Sequence, residues 1–283
     1  MRRLLVCSEG DAPSVNMRDS LLSLAKWEDL GGSGGDRFFA RGDSAIMSSP
    51  DLHIYMDDPD ARAEAMGLRV DEVVFMSRHS SASGEPSLTV HPIGNYGENR
   101  FGGRAGELVP AAPSPMTSAL RSIARRAPPG FRVCFEATHH GPSLSKPTYF
   151  IEIGSDERTW GDKIAAEALA RVLLEDADEG YPAVIGVGGG HYAPRFTEIA
   201  LGFGASFGHM VPGYQMEGRQ DGEIEAMIRS AMAASGTRLA YIHRGSMGRR
   251  EEERLAGIAE SAGAEAVTSS DLEPLPGNPR RSP

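Results

Sequence analysis

Residues 149–173 read YFIEIGSDERTWGDKIAAEALARVL, and the change of period inside them decides the fold. The first five, YFIEI, are aromatic and β-branched, which suits a short strand in a sheet. From Ser155 the pattern changes. Ser155 can cap a helix, and Asp156 and Glu157 fall in its first turn, where the helix dipole favours anions. Trp160, Ile164, Ala168 and Val172 then recur every four residues, with Leu169 and Leu173 beside them, as one buried helical stripe. A strand therefore runs straight into a helix, and residues 183–187 (AVIGV) follow as the next strand.

Outward from this unit the alternation continues. Residues 70–76 (VDEVVFM), 131–136 (FRVCFE) and 239–243 (LAYIH) read as further strands, and the apolar run within the first ten residues reads as a first buried strand rather than a signal peptide. Helices are expected at 13–27, at 116–127 where Pro128-Pro129 stops the chain, at 223–234 and at 249–262. Residues 31–35 (GGSGG) form a flexible loop or hairpin tip. Strands alternating with helices imply an α/β fold with a mainly parallel or mixed sheet flanked by helices. One compact domain is expected over 1–273, with a disordered Pro-rich tail at 274–283.

No apolar run approaches the length that spans a bilayer, so a soluble, cytoplasmic protein is expected. Cys7 and Cys134 lie in strand-like runs and read as buried free thiols, which excludes a disulfide framework. The formal net charge is −10, against the basic footprint common in nucleic-acid binders. Local clusters remain at Arg100 with Arg104, at Arg121 with Arg125 and Arg126, and at Arg249 with Arg250, each read first as a solvated face.

Chemistry concentrates in four segments. Residues 77–84 (SRHSSASG) follow a strand, and loops at strand ends build the crevice of a parallel sheet. Residues 136–142 (EATHHGP) place two imidazoles beside a Gly-Pro turn, able to act as metal ligands or general bases. Residues 186–195 (GVGGGHYAPR) run a strand into three glycines, with His191 and Arg195 at the rim. His209, in FGHM, reads as a satisfied structural histidine. Among zinc, redox and phosphate-binding motifs, His-Glu-x-x-His, Cys-x-x-Cys and Walker A are all missing, as is the Gly-x-Ser-x-Gly elbow. A metal site must therefore be assembled from distant residues, with His79, His139, His140, His191 and Glu152 as candidates. That mix of nitrogen and oxygen ligands suits zinc.

Taken in order, these stretches resemble the D-aminoacyl-tRNA deacylase family of archaea and plants. The resemblance rests on LHIY (52–55), SRHSSASGEPSLTVHPIGN (77–95), AAPS (111–114), EATHHGPSLSKPTYFIEIGS (136–155) and GVGGGHYAPRFTEIALGFGASFGHMVPGY (186–214). It implies an α/β core similar to peptidyl-tRNA hydrolase and nucleoside phosphorylases. It implies hydrolysis of D-aminoacyl-tRNA to a free D-amino acid and tRNA, zinc dependence, and an association with clearing aldehyde-modified substrates. No membrane or protein partner is implied. On that basis His139, His140 and His191 are expected to bind zinc or activate water, with Glu152 as an extra ligand or supporting partner. Backbone N–H groups at Gly188, Gly189 and Gly190 are expected to hold the oxyanion. Arg78 and Arg195 are expected at the tRNA 3′ end, with His79, Ser80 and Ser81 also contacting substrate. Two other classes stay open. A metal-dependent small-molecule hydrolase or phosphorylase would turn over a small ester or nucleoside without tRNA. A non-catalytic tRNA-binding module would bind without turnover.

Overall fold

Successive side chains along a strand point to opposite faces of the central sheet, and so decide where a polar site can sit. The computed structural model of the chain describes residues 3–175 and 178–276. Its strands are β1 (Arg3–Ser8), β2 (Glu28–Ser33), β3 (Asp36–Arg41), β4 (Ser44–Ser49), β5 (Glu72–Arg78), β6 (Ser87–His91), β7 (Arg132–Phe135), β8 (Thr148–Gly154), β9 (Ala183–Val187), β10 (Ser206–Val211), β11 (Leu239–Ile242) and β12 (Glu265–Val267). Helices are α1 (Ala12–Leu24), α2 (Pro59–Ala65), α3 (Pro113–Arg126), α4 (Glu157–Trp160), α5 (Lys163–Leu174), α6 (Pro194–Gly202), α7 (Gly213–Met216), α8 (Asp221–Ser235) and α9 (Arg249–Ser261). One sheet runs β2-β3-β4-β1-β5-β8-β6-β7 and the other β10-β9-β11-β12. The second is wholly parallel; the first is mixed, with β6 antiparallel to β8. The expected α/β class is observed.

On one face of the large sheet Val74, Met76, Leu88, Val90, Phe135, Ile151 and Ile153 join a core that reaches Val184, Phe207 and Tyr241 of the small sheet. α1, α3, α5 and α6 pack into it alongside further strand residues, so this core fills the space between the layers. The opposite face carries Phe75 and Phe150 into a second core. Along the same face Ser77 stands opposite Glu152, Glu152 opposite Thr89, and Phe150 opposite His91. The polar patch belongs to strand residues, not only to loops.

The helix expected from Ser155 is two helices. Asp156 caps α4 and Asp162 caps α5, while Ser155 Oγ donates instead to Glu85 O. Gly161 breaks the period between them, which rotates the buried stripe. Ala165, Ala166, Leu169, Ala170, Val172 and Leu173 face the core, and Ile164 is 71% exposed. The GGSGG stretch is a hairpin tip, turning at Gly34-Gly35 between β2 and β3. The tail is ordered at its start, where Leu275 N–H donates to Gly202 O. The disorder expected for the remainder, 277–283, lies outside the described residues. Both cysteines are buried free thiols. Arg121 is not a surface cation: it is 4% exposed and donates to Ala200 O, Phe203 O and Ala205 O.

Candidate active site

Four strand ends and two loops meet over the polar patch. Glu152 rises from β8, His91 ends β6, and Glu136 follows β7, whose ladder its N–H extends to Val90 O. His79 follows β5, with its N–H on Ile153 O. The loop after β7 brings His139 and His140, and the loop after β9 brings His191. Ala137 N–H donates to His191 O at 2.7 Å and locks those two loops together.

Glu136 is the hub. It is fully buried, with Oε1 3.0 Å from His79 Nδ1 and Oε2 2.9 Å from His191 Nε2 and 3.6 Å from His139 Nε2. Neither oxygen receives an aligned hydrogen bond, although both histidines are close. Burial would push this carboxyl up, but His191 and His79 outweigh it and hold it well below its ordinary range. Glu152 goes the other way: burial and the Glu136 charge push it well up. The two buried carboxyls are pushed in opposite directions, the kind of separation that acid–base chemistry uses. Burial lowers His79 and His191, yet Glu136 more than compensates and raises both.

A second group lies beside the first. His91 Nδ1 faces Pro92 O, His139 Nδ1 faces Ala137 O, and His140 Nδ1 faces Gly141 O. A carbonyl only accepts, so each Nδ1 carries the proton and each Nε2 is left as the basic nitrogen. Burial pushes His91 down to about 4 and His140 to about 3, and holds His139 well below its usual value. Three neutral imidazoles pinned by backbone carbonyls are the arrangement that orients metal ligands. One ring nitrogen of each lies within 4.8 Å of the others, and the sets His79/Glu136/His191 and His91/Glu136/Glu152 meet the same limit. Among the described residues the buried His91 Nε2, 3.6 Å from Glu152 Oε2, has no hydrogen-bond partner, and a cation would give it one to coordinate. These His and Glu groups fit a metal.

Two clefts open on the cluster. One, of about 480 Å³, is walled by Asp11, Leu52, His53, Arg78 and Ser80; the other, of about 540 Å³, by Asn95, Tyr96, Arg100, Tyr214 and Arg219. His139, His140, His191 and Phe101 line both. Phe101 sits on a loop clamped to the histidine turn: Gly141 N–H donates to Phe101 O and Gly94 N–H to His140 O. The clamp needs glycine. A Cβ at Gly102 would lie 1.6 Å from Ile54 O, and φ there is +75°. Gly102→Ala is expected to cost about 2–4 kcal/mol, read as a lower midpoint in denaturant. Gly106→Ala, at φ +69° with nothing near its Cβ, should cost about 1 kcal/mol. Equal losses at the two positions would contradict the clamp.

Of the residues expected from sequence, the structure gathers His79, His139, His140, His191 and Glu152 at one centre, with Arg78 and Ser80 on the cleft wall. Others lie elsewhere. Ser81 bonds to Ser155 O and Ser83. Gly188 N–H donates to Val211 O, continuing the sheet, and Gly189 and Gly190 line a neighbouring cleft that Arg219 also borders. Arg195 is held by Tyr241 and Glu198 in a third pocket, away from the histidines. His209 is structural: buried, with Nε2 2.8 Å from Val109 O and Nδ1 3.1 Å from Thr138 Oγ1. Glu136 and His91 were not singled out. The signal existed in the alternation of Ser87, Thr89, His91 with Leu88, Val90, which marks a polar face inside a sheet.

Imidazoles and paired carboxylates at the floor of open clefts suit attack of water on an acyl carbon, and mark the chain as a hydrolytic enzyme on a mixed α/β scaffold. A family model described as D-aminoacyl-tRNA deacylase matches residues 66–267. Relatives named D-aminoacyl-tRNA deacylase occur in archaea. That of Methanosarcina mazei is 36% identical over 95% of this chain and 92% of its own length, and that of Thermococcus onnurineus 35% over 94% and 99%. The Methanococcoides burtonii relative is 38% identical over 98% of this chain, which spans 58% of that longer protein. A crystal structure described as a conserved protein of unknown function superposes with a TM-score of 0.85 at 33% identity, covering 96% of both chains. The chain belongs to the D-aminoacyl-tRNA deacylase family, hydrolases acting on the ester bond of aminoacyl-tRNA. Among the described residues no helix is long and apolar enough to cross a membrane.

Proposed function

We propose that this chain hydrolyses the ester between a D-amino acid and the 3′ end of tRNA, releasing both, with zinc held by His91, His139 and His140. The observation that carries the reading is the convergence of these histidines with His79, His191 and the ionised Glu136 where two clefts meet. An ester has two arms, and two clefts sharing one set of catalytic groups accommodate both. Zinc, when bound, polarises the acyl carbonyl and lowers the pKa of water. The protein's own groups do the rest. Glu136 Oε2 takes the proton of the attacking water, and His191, 2.9 Å away, relays it, accepting on Nε2 while its other ring nitrogen gives a proton to the departing ribose oxygen. Glu152, pushed up by burial and by the Glu136 charge, lines the floor of the first cleft beside His79. Arg78, stacked on Trp160 and beside Asp11, stands at the cleft mouth for the polar ends of the substrate.

The test is hydrolysis of D- and L-tyrosyl-tRNA side by side. The D-ester is expected to react about 10³-fold faster, which needs only roughly 4 kcal/mol of differential transition-state binding. Equal rates would remove chiral specificity from the reading. Turnover of a small ester without any preference for tRNA would favour the small-molecule hydrolase.

A further inference from the structure

Two clefts sharing one catalytic ridge raise the question of which arm of the ester enters which. Their walls differ in chemistry. Phe101, 63% exposed, lies between the two clefts, and the one bounded by Tyr214 and Arg219 adds a second ring, Tyr214 at 46% exposed. Large aromatic faces left in water on a wall have no folding role to explain them. The backbone that carries Phe101 is anchored: its carbonyl accepts from Gly141 N–H, and Asn95 Nδ2 donates to Gly102 O and Arg104 O just after it. An exposed ring on an anchored backbone, lining the cleft with His139 and His140, is placed for stacking.

The cation in this wall is positioned as well. Arg219 Nε donates to Gln215 O, and its Nη2 lies 2.9 Å from where a Cβ on Gly97 would sit, so the guanidinium bridges the two sides of the cleft. Its contact with Glu223 is long, at 3.8 Å. Arg100, by contrast, is paired with Glu98 at the surface. Arg219 also lines the neighbouring groove toward Arg254 and Gly190, giving a strand a way out of the cleft.

We infer that this cleft is the subsite for the unpaired 3′-terminal nucleotide, with the adenine stacked on Phe101 and Tyr214 and its 5′-phosphate on Arg219, leaving the Asp11-lined cleft for the aminoacyl arm. This rests on the deacylase reading proposed above. Unpaired bases are bound by stacking on aromatic side chains with a cation on the backbone, and the wall supplies both. The acidic net charge is no obstacle, because one terminal nucleotide needs one placed cation rather than a basic face.

Adenosine 5′-monophosphate is the probe, since it carries the terminal base, ribose and 5′-phosphate. It is expected to inhibit D-tyrosyl-tRNA hydrolysis competitively, and to bind the wild-type protein in a calorimeter without turnover. Phe101→Leu and Arg219→Gln should each weaken that binding, and raise KM for the tRNA ester, by about tenfold or more with little change in kcat. Phe101→Trp, which keeps a ring, should restore both to within roughly threefold. On D-tyrosine methyl ester, which has no nucleotide, the loss in Phe101→Leu should be at least about tenfold smaller than on tRNA. Equal losses on the two esters, or undiminished AMP binding in Phe101→Leu, would overturn the subsite. If the wild type binds AMP through Phe101 yet cleaves no D-ester, the nucleotide subsite stands and the deacylase reading falls.

Discussion

Glu136→Gln lowers turnover of D-tyrosyl-tRNA by on the order of 10⁴ while the protein still folds: that is the expected result at the hub of the site. Glu136 is fully buried, and His79, His139 and His191 all approach its two oxygens. Its charge raises His79 and His191 against the burial that would lower them. The amide fills the same space and can still hydrogen-bond, so packing survives. It cannot accept a proton from water or hold imidazolium partners, so the chemistry does not. Circular dichroism and a cooperative melt would establish the fold, and single-turnover deacylation the loss. Turnover within tenfold of wild type would remove Glu136 from the mechanism, since general acid–base groups contribute roughly 10²–10⁴.

The alternation of short strands with amphipathic helices was enough to read an α/β fold, because period 2 and period 3.6 leave different marks in the sequence. It could not reveal the β2-β3-β4 meander. Glu28–Ser33 is polar and glycine-rich, and becomes a strand only through its antiparallel pairing with β3. The histidines of the site were legible because imidazoles beside glycines at strand ends serve folding poorly. Glu136 and His91 were harder, since each sits inside or against a strand where a single polar residue resembles an ordinary outward position. Only the pairing of β6 with β8 and β7 shows that the polar face of Ser87-Thr89-His91 turns inward. Gly188–Gly190 also have a packing role. Glycines after a parallel strand allow an anion site, but here they let the chain pass close to its neighbours, with Gly189 facing the His243 ring and Gly188 bonded to Val211.

The role of the metal is decided by comparing two histidines of opposite kind. His140→Ala is expected to lower turnover by roughly 10³–10⁴ and to strip zinc from the purified protein, while the melting temperature of the metal-free form moves little. Its Nδ1 is tied to Gly141 O, so its Nε2 is the atom given to the cluster. His209→Ala should do the reverse. That ring is fully buried and bridges Thr138 and Val109, so its loss opens a cavity and breaks both hydrogen bonds, costing about 2–4 kcal/mol, with zinc content unchanged. Chelation of the wild type should abolish turnover, and added zinc should return it. A metal-free wild type that still turns over would leave His91, His139 and His140 without a metal to hold. Loss of stability and activity together in His140→Ala would make it another His209. The three outcomes separate because the ring nitrogens that face carbonyls in the first group leave their partners facing one another, whereas both nitrogens of His209 are already satisfied by the fold.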